Sequence, residues 1–314
     1  MEKLNKVYGI IGIKAEMANW NADFNGDPKN TPDGLIFASD KALKWAIRNQ
    51  WRQNGEKVLM TKRQTFDSKG NVVTATLEQS YNKLFDTKLD PKKNDVILNN
   101  LFSALDIANF GVAFAVSKCN HSITGAVQIQ QGINKFEDTN IIVQDILSPF
   151  VNSNSVKEDG TQNAKASIGK MTIVDKAHYC YGFTVNPNNY MDYKELLGDN
   201  FEGYTEEAYN KFKEAALTCA TNIESCSKTG CSNEYAIFIN LKQGSNKALP
   251  NLQQFVTIEE EDNKTFVNIN KMQNLLKMDA IENIEIFYDD NMTEIIYDEL
   301  NTDIINKITF KSIY

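Results

Sequence analysis

A chain of 314 residues with 42% apolar content can bury a sizeable core, and its longest apolar runs, such as Val112 to Val116, are far too short to cross a bilayer as a helix. The net charge of −8 argues against a protein that coats nucleic acid indiscriminately, because such coating rests on phosphate neutralisation. The charge is uneven: residues 1–180 carry 22 Lys+Arg and 19 Asp+Glu, residues 181–314 carry 11 and 22. A polyanion site therefore belongs in the first half, with the acidic second half facing elsewhere. The opening MEKLNKVYGI has no long apolar stretch before a small-residue cleavage site, so a cytoplasmic protein with reduced cysteines and no membrane association is expected.

In chain order, Tyr8 to Ala15 reads as a buried first strand. It breaks into a polar run of turn formers, Asn19 to Pro28, continued by Pro32, Asp33 and Gly34. Ser39 is an N-cap and Asp40 suits the positive end of a helix dipole, so a helix is expected to about Arg52, ending before Gly55. At 100° per residue, Leu43, Ile47 and Trp51 share one face with Ala46 at its flank. Lys41, Lys44, Arg48 and Arg52 form a stripe on the opposite side, with Trp45 at its edge. A hairpin follows around Ser68-Lys69-Gly70-Asn71, then one or two short helices across 77–105, interrupted at Asp90-Pro91. Gly111 to Ser117 and Ala126 to Gln131 read as strands, 136–168 as an extended polar loop, and Met171 to Val174 and Ala177 to Val185 as strands again. An amphipathic helix is expected over 205–224, a strand over Tyr235 to Lys242, and short β-like runs among acidic stretches from Phe255 on. The simplest assembly is one α+β domain with a long central insertion.

Chemistry-bearing constellations are sparse. The Asp23-Phe24-Asn25-Gly26-Asp27 stretch begins like a calcium loop, but its sixth position is Pro28 and its twelfth Gly34, where such a loop needs Gly and Glu. Cys219, Cys226 and Cys231 lack the second pair or histidine of a zinc set and read as free thiols. Of the two histidines, His178 sits in a strand pattern and reads as a satisfied core or edge residue. No cofactor, metal or catalytic residue is expected.

Four blocks carry a resemblance. Asn19 to Pro28 resembles an "N-x-N-x-x-x-N-G-D-P" opening, and Ser39 to Arg48 a "T-D-x-x-L-K-R-x-I-R" helix. Thr124-Gly125-Ala126-Val127-Gln128 is similar to "T-G-P-V-Q", and Gly169 to Pro187 to "G-R-K-x-x-V … Y … G-x-x-N-P". In this order, across about 6–245, they resemble the Cascade backbone proteins of CRISPR systems, the Cas-seven group of the repeat-associated RNA-binding superfamily, with the type I-B branch closest. Trp45 stands where that family usually has a basic residue, Ala126 replaces Pro, and Lys170 replaces Arg.

The resemblance implies an RRM-like (ferredoxin-like) palm over 1–250, with a finger insertion of helices and hairpin at about 55–108 and a thumb-like loop at about 136–168. Residues 251–314 would be an acidic C-terminal extension packed on the same domain. It implies a non-catalytic subunit that binds guide RNA (crRNA), pairs it with a target DNA strand, and stacks head to tail with further copies of itself and other Cascade subunits. The RNA contacts would come from Asn19, Asn21, Lys41, Lys44, Trp45, Arg48, Arg52, Gly125, Gln128, Lys170 and Lys176. A solvated helix face would explain the basic stripe equally, ordinary loop borders the Gly125, Gln128, Lys170 and Lys176 positions, and Trp45 can either stack on a base or pack against a finger. The alternative function is a metal-dependent endoribonuclease of the type III kind, with Asp23, Asp27 or Asp33 as its carboxylate.

Overall fold

The computed structural model describes residues 1–116, 118–151 and 166–314. Its organising element is β1 (Val7–Ala18), whose side chains alternate between two separately buried faces. Val7, Ile11, Ile13 and Ala15 point to one apolar cluster, Ile10 and Tyr8 to another. After the loop come the short β2 (Phe37–Ala38) and α1 (Asp40–Gln53). Helix α1 begins where Ser39 Oγ accepts the Ala42 N–H, and it buries Leu43, Ala46, Ile47 and Trp51. An outlying section follows: the hairpin β3 (Gln64–Phe66) and β4 (Val72–Thr74), then α2 (Leu77–Phe85), α3 (Asn94–Ser103) and α4 (Leu105–Phe110). A Thr76–Gln79 capping box starts α2.

The strands β5 (Gly111–Val116) and β6 (Cys119–Thr124) pair with each other, and β7 (Val127–Ile129) and β8 (Gly132–Asn134) lead to β9 (Ile141–Val151) and the 20-residue β10 (Ala166–Val185). The polar-loop expectation for 136–168 is corrected here: β9 pairs antiparallel with β10 from Ile141↔Val174 to Val151↔Ala166. Ile141, Ile142, Val143 and Ile146 supply the β-branched run that such a ribbon needs. The Asn152 to Ser155 and Asp159-Gly160 part of that expectation lies outside the described residues. Beyond α5 (Met191–Leu197) and α6 (Glu206–Thr218), β11 (Cys231–Leu241) returns along the other side of β1.

The main sheet runs β11-β1-β10-β8 at its centre, and α1 and α6 cover one face through Leu43, Ile47, Trp51, Phe212 and Ala216. The chain beyond 250 covers the other. A turn of 3₁₀ helix at Leu252–Phe255 leads to β12 (Thr257–Glu261) and β13 (Lys264–Asn268), and then to α7 (Gln273–Leu276). Next, β14 (Ile281–Tyr288) joins the main sheet beside β11, β15 (Thr293–Ile296) pairs with β13, and β16 (Ile308–Ser312) closes the edge beside β14. Leu252, Val256, Ile258, Val267 and Leu276 pack there against Ile10, Ile237 and Ile239. Buried Gln253 donates from Nε2 to the carbonyls of Gln131 and Cys180, both at 2.7 Å, fixing the cover to the sheet. The architecture is a mixed α and β fold whose main sheet is covered on both sides at its centre.

One stretch of the covered face is ionic. Lys14 Nζ lies 2.8 Å from Glu260 Oε1, Lys176 Nζ contacts Glu260 Oε2, and His178 Nδ1 is 2.8 Å from Glu234 Oε2 with its Nε2 3.3 Å from Glu260. Glu234 is the extra residue at a bulge, since Gly12 pairs with Tyr235 and Ile13 with Asn233. The expectation that the acidic second half faces away is corrected here. Glu260 and Glu234 belong to that half, and they neutralise lysines of the first because a buried ammonium needs a counter-charge.

Burial alone would lower the pKa of His178, but Glu234 and Glu260 outweigh it and raise it to about 8. Burial would raise Glu260, yet His178, Lys14 and Lys176 hold it well below the usual carboxylate range. A folded-state pKa above the unfolded value of about 6.5 contributes stability that is fully present below pH 6.5 and lost as pH rises through about 8. We predict that unfolding free energy from urea titrations falls by about 1.5 kcal/mol between pH 6.5 and 8.5. His178→Gln should flatten that segment; an equally steep fall in the variant would show that another group is responsible.

Candidate nucleic-acid interface

Helix α1 and the loop before it were expected to meet a polyanion, and the structure divides the basic stripe. Lys41 and Arg52 stand in solvent at its two ends, with Arg52 Nη1 3.5 Å from Thr61 Oγ1. Lys44 pairs with Asp40 at 3.1 Å, one helical turn back. Arg48 turns inward: its Nε is 3.3 Å from Asp106 Oδ2, and its guanidinium carbon lies 5.1 Å from the Phe110 ring centroid. Asp106 is 0% exposed and also accepts the N–H groups of Leu59 (2.9 Å) and Met60 (2.8 Å). Arg48 thus balances a buried carboxylate that ties α4 to the segment leaving α1. Arg63 is likewise spent on the carbonyls of Val58 and Leu59.

The loop residues hold shape. Asn19 is buried, with Nδ2 donating to Gly26 O (3.1 Å) and Thr172 O (2.9 Å), so it fastens the loop to β10. Asn21 Oδ1 accepts from the N–H and hydroxyl of Ser39, at 2.7 and 2.9 Å, and so locks the loop onto the cap of α1. Asp23 Oδ1 accepts the N–H groups of Asn25 and Asp27 and closes the loop tip.

Gly125 is buried: a Cβ there would sit 2.2 Å from the Phe110 carbonyl carbon and 2.4 Å from Gly111 N. Its missing side chain admits the α4–β5 turn, so the close approach is internal. Gln128 is exposed, but its amide returns to Gly125 O at 2.8 Å. Lys170 is exposed on the ribbon, in register with Asp145. Lys176 is bound to Glu260 inside the fold.

What the structure does assemble is a cleft beside α1. Trp45, 47% exposed, faces it together with Trp20, Asn21, Ala42 and Lys228. Lys228 is the residue that sequence reasoning missed. It sits in the turn before β11, far along the chain from α1 and outside any motif. The one available signal was Gly230, where a Cβ would meet Glu16 O at 2.0 Å; that close approach brings the turn onto the end of β1. Glu16 N–H donates to Gly230 O (2.9 Å) and Asn19 N–H to Ser227 O (2.7 Å), which places Lys228 over the loop.

Compared with known proteins, the sequence matches over residues 5–279 the family described as CRISPR-associated protein Cas7. The chain belongs to that family. Among curated proteins, none matches the sequence. The solved structures similar to this Cas7-family chain include two CRISPR surveillance complexes. One, described as a "CRISPR RNA-guided surveillance complex, pre-nicking", has 13% identity and a TM-score of 0.50, with 93% of this chain and 96% of that one covered. The other, a "CRISPR RNA-guided surveillance complex", has 12% identity and a TM-score of 0.47, with 91% of each chain covered. At 13% identity the likeness to the first is one of fold.

In this Cas7-family chain the Arg48–Asp106 contact is a structural clamp. We predict that Asp106→Ala, which leaves a part-buried guanidinium and two N–H groups without their acceptor, destabilises the fold by about 3–5 kcal/mol. Chemical denaturation measures it; a loss below about 1 kcal/mol would place the clamp elsewhere.

Proposed function

We propose that the chain is a non-catalytic, guide-RNA-binding backbone subunit of a type I CRISPR surveillance complex. Copies stack head to tail on the RNA, which pairs with a target DNA strand while the protein holds its backbone. The observation that carries this reading is the family match over residues 5–279. Beside it stands a solvent-facing edge of α1, Lys41, Trp45 and Arg52, held against a loop that Asn19 and Asn21 make rigid. On this reading β1–α1–β8–β10–α6–β11 is an RRM-like palm. Its support is the strand order β11-β1-β10-β8, with the β1 partners antiparallel and both helices on one face. The segment 55–108 is then the finger insertion, the β9–β10 ribbon the base of the thumb-like element, and 251–314 an extension of the same domain. Asymmetric head-to-tail contact builds an open filament whose copy number follows guide length.

A ribonuclease reading would need a free carboxylate on the loop. Asp23 is occupied within the loop, which leaves Asp27 and Asp33, both exposed; the Thr31 hydroxyl lowers the pKa of Asp33. The reading of a non-catalytic subunit predicts that guide-loaded protein leaves complementary RNA intact in the presence of divalent metal. Cleavage abolished by Asp33→Ala would replace it with the nuclease. For binding, Lys41→Glu with Arg52→Glu is expected to weaken RNA retention and flatten the salt dependence, by a slope of about 0.7 per lost phosphate contact. Full retention with an unchanged slope would place the RNA elsewhere.

A further inference from the structure

The cleft beside α1 contains a cation that its surroundings leave unneutralised. Lys228 Nζ donates to the carbonyls of Asn19 (3.0 Å) and Trp20 (2.6 Å) and lies 5.6 Å from the Trp20 ring centroid. Among the described residues no carboxylate comes within ion-pair distance of it, and burial lowers its pKa. An ammonium has three donors; two are spent on these carbonyls and the third remains for a group outside the chain. A part-buried charge without a counter-ion is costly, and an anion entering the cleft would offset that cost.

The other wall is aromatic. Trp45 stays 47% exposed on a helix whose remaining large apolar residues are buried. The site is also stiff before anything binds. The Trp20 indole N–H donates to Tyr181 Oη at 2.7 Å, and Asn21 is locked to Ser39. A rigid cleft with a free aromatic face and an unmatched cation matches the two chemical surfaces of a nucleotide, a π-face and a phosphate. An acidic peptide would satisfy Lys228 and leave Trp45 wet, and an apolar one would do the reverse.

We infer that this cleft is a subsite for one unstacked nucleotide of the bound RNA, its base lying on the Trp45 indole and its phosphate on the Lys228 ammonium. The inference rests on the guide-RNA reading above and adds a nucleotide-sized contact to it. The subsite is blind to sequence, because every base presents a π-face.

Fluorescence makes the test specific. Trp20 and Trp51 are 1% and 2% exposed, so Trp45 is the tryptophan a bound base would quench. The full chain is titrated with a short oligouridylate at several salt concentrations. Binding should quench the emission. Trp45→Ala should weaken binding by about 5- to 150-fold with unfolding temperature unchanged, while Trp45→Phe keeps most of the affinity and loses the quench. Lys228→Met should lower the salt slope by about 0.7. Lys228→Arg keeps the charge, and its slope should stay near the parent's even if the loop shifts. Unaltered affinity and quench-free binding in the parent would overturn the subsite, provided Lys41→Glu with Arg52→Glu still weakens binding; the guide-RNA reading then survives. No RNA binding by the parent at any salt concentration would overturn both.

Discussion

Everything in this molecule depends on β1 being buried on both sides. A strand with helices on one face and the 250–310 segment on the other has no open surface to offer a ligand. Polar groups on that strand must then find partners inside the fold, which is why Lys14 meets Glu260 and why Glu234 is turned toward His178 at a bulge. On the proposed reading, the outer edge of α1 and the loop that precedes it are then the surface left for nucleic acid. Some of the acidic residues also serve inside the fold: Glu260 answers Lys14 and Lys176, and Glu285 answers Lys213 and Lys311.

The local features of the fold were legible in the sequence. Ser39 as cap, Asp40 in the first turn and the spacing of Leu43, Ile47 and Trp51 are properties of one short segment, and α1 follows them to within a residue or so. The β9 strand was missed for the opposite reason. Its Ile141-Ile142-Val143 run precedes a stretch of Asn, Ser, Asp and Gly, and the polar part dominated the reading. Whether such a run becomes a strand depends on β10, which lies some thirty residues on and supplies the pairing. The internal commitments of the basic stripe were hidden in the same way. The period of α1 placed Arg48 among the lysines correctly, but its partner Asp106 is 58 residues away, and no local signal reveals a buried carboxylate. Gly125 and Lys176 stood out because the resembling blocks coincide with them. In the structure Gly125 makes an internal close approach and Lys176 pairs with Glu260.

These internal commitments bear on how a chain of net charge −8 would hold a polyanion. On the proposed reading the cations of α1 free for phosphate are Lys41 and Arg52, with the one remaining donor of Lys228 beside them. If these alone met phosphate, one copy would have a weak grip and a shallow salt dependence. On the subsite proposed above, an aromatic contact at Trp45 would supply affinity that salt does not screen. A weak, sequence-blind site is suited to a repeated subunit. On the proposed reading each added copy would bring its site to RNA already held nearby, so the assembly would gain affinity through effective concentration, while a lone subunit would release cellular RNA readily. Heavier positive charge would strengthen each site and forfeit that discrimination, because a strongly basic subunit would load on any strand before the guide is found.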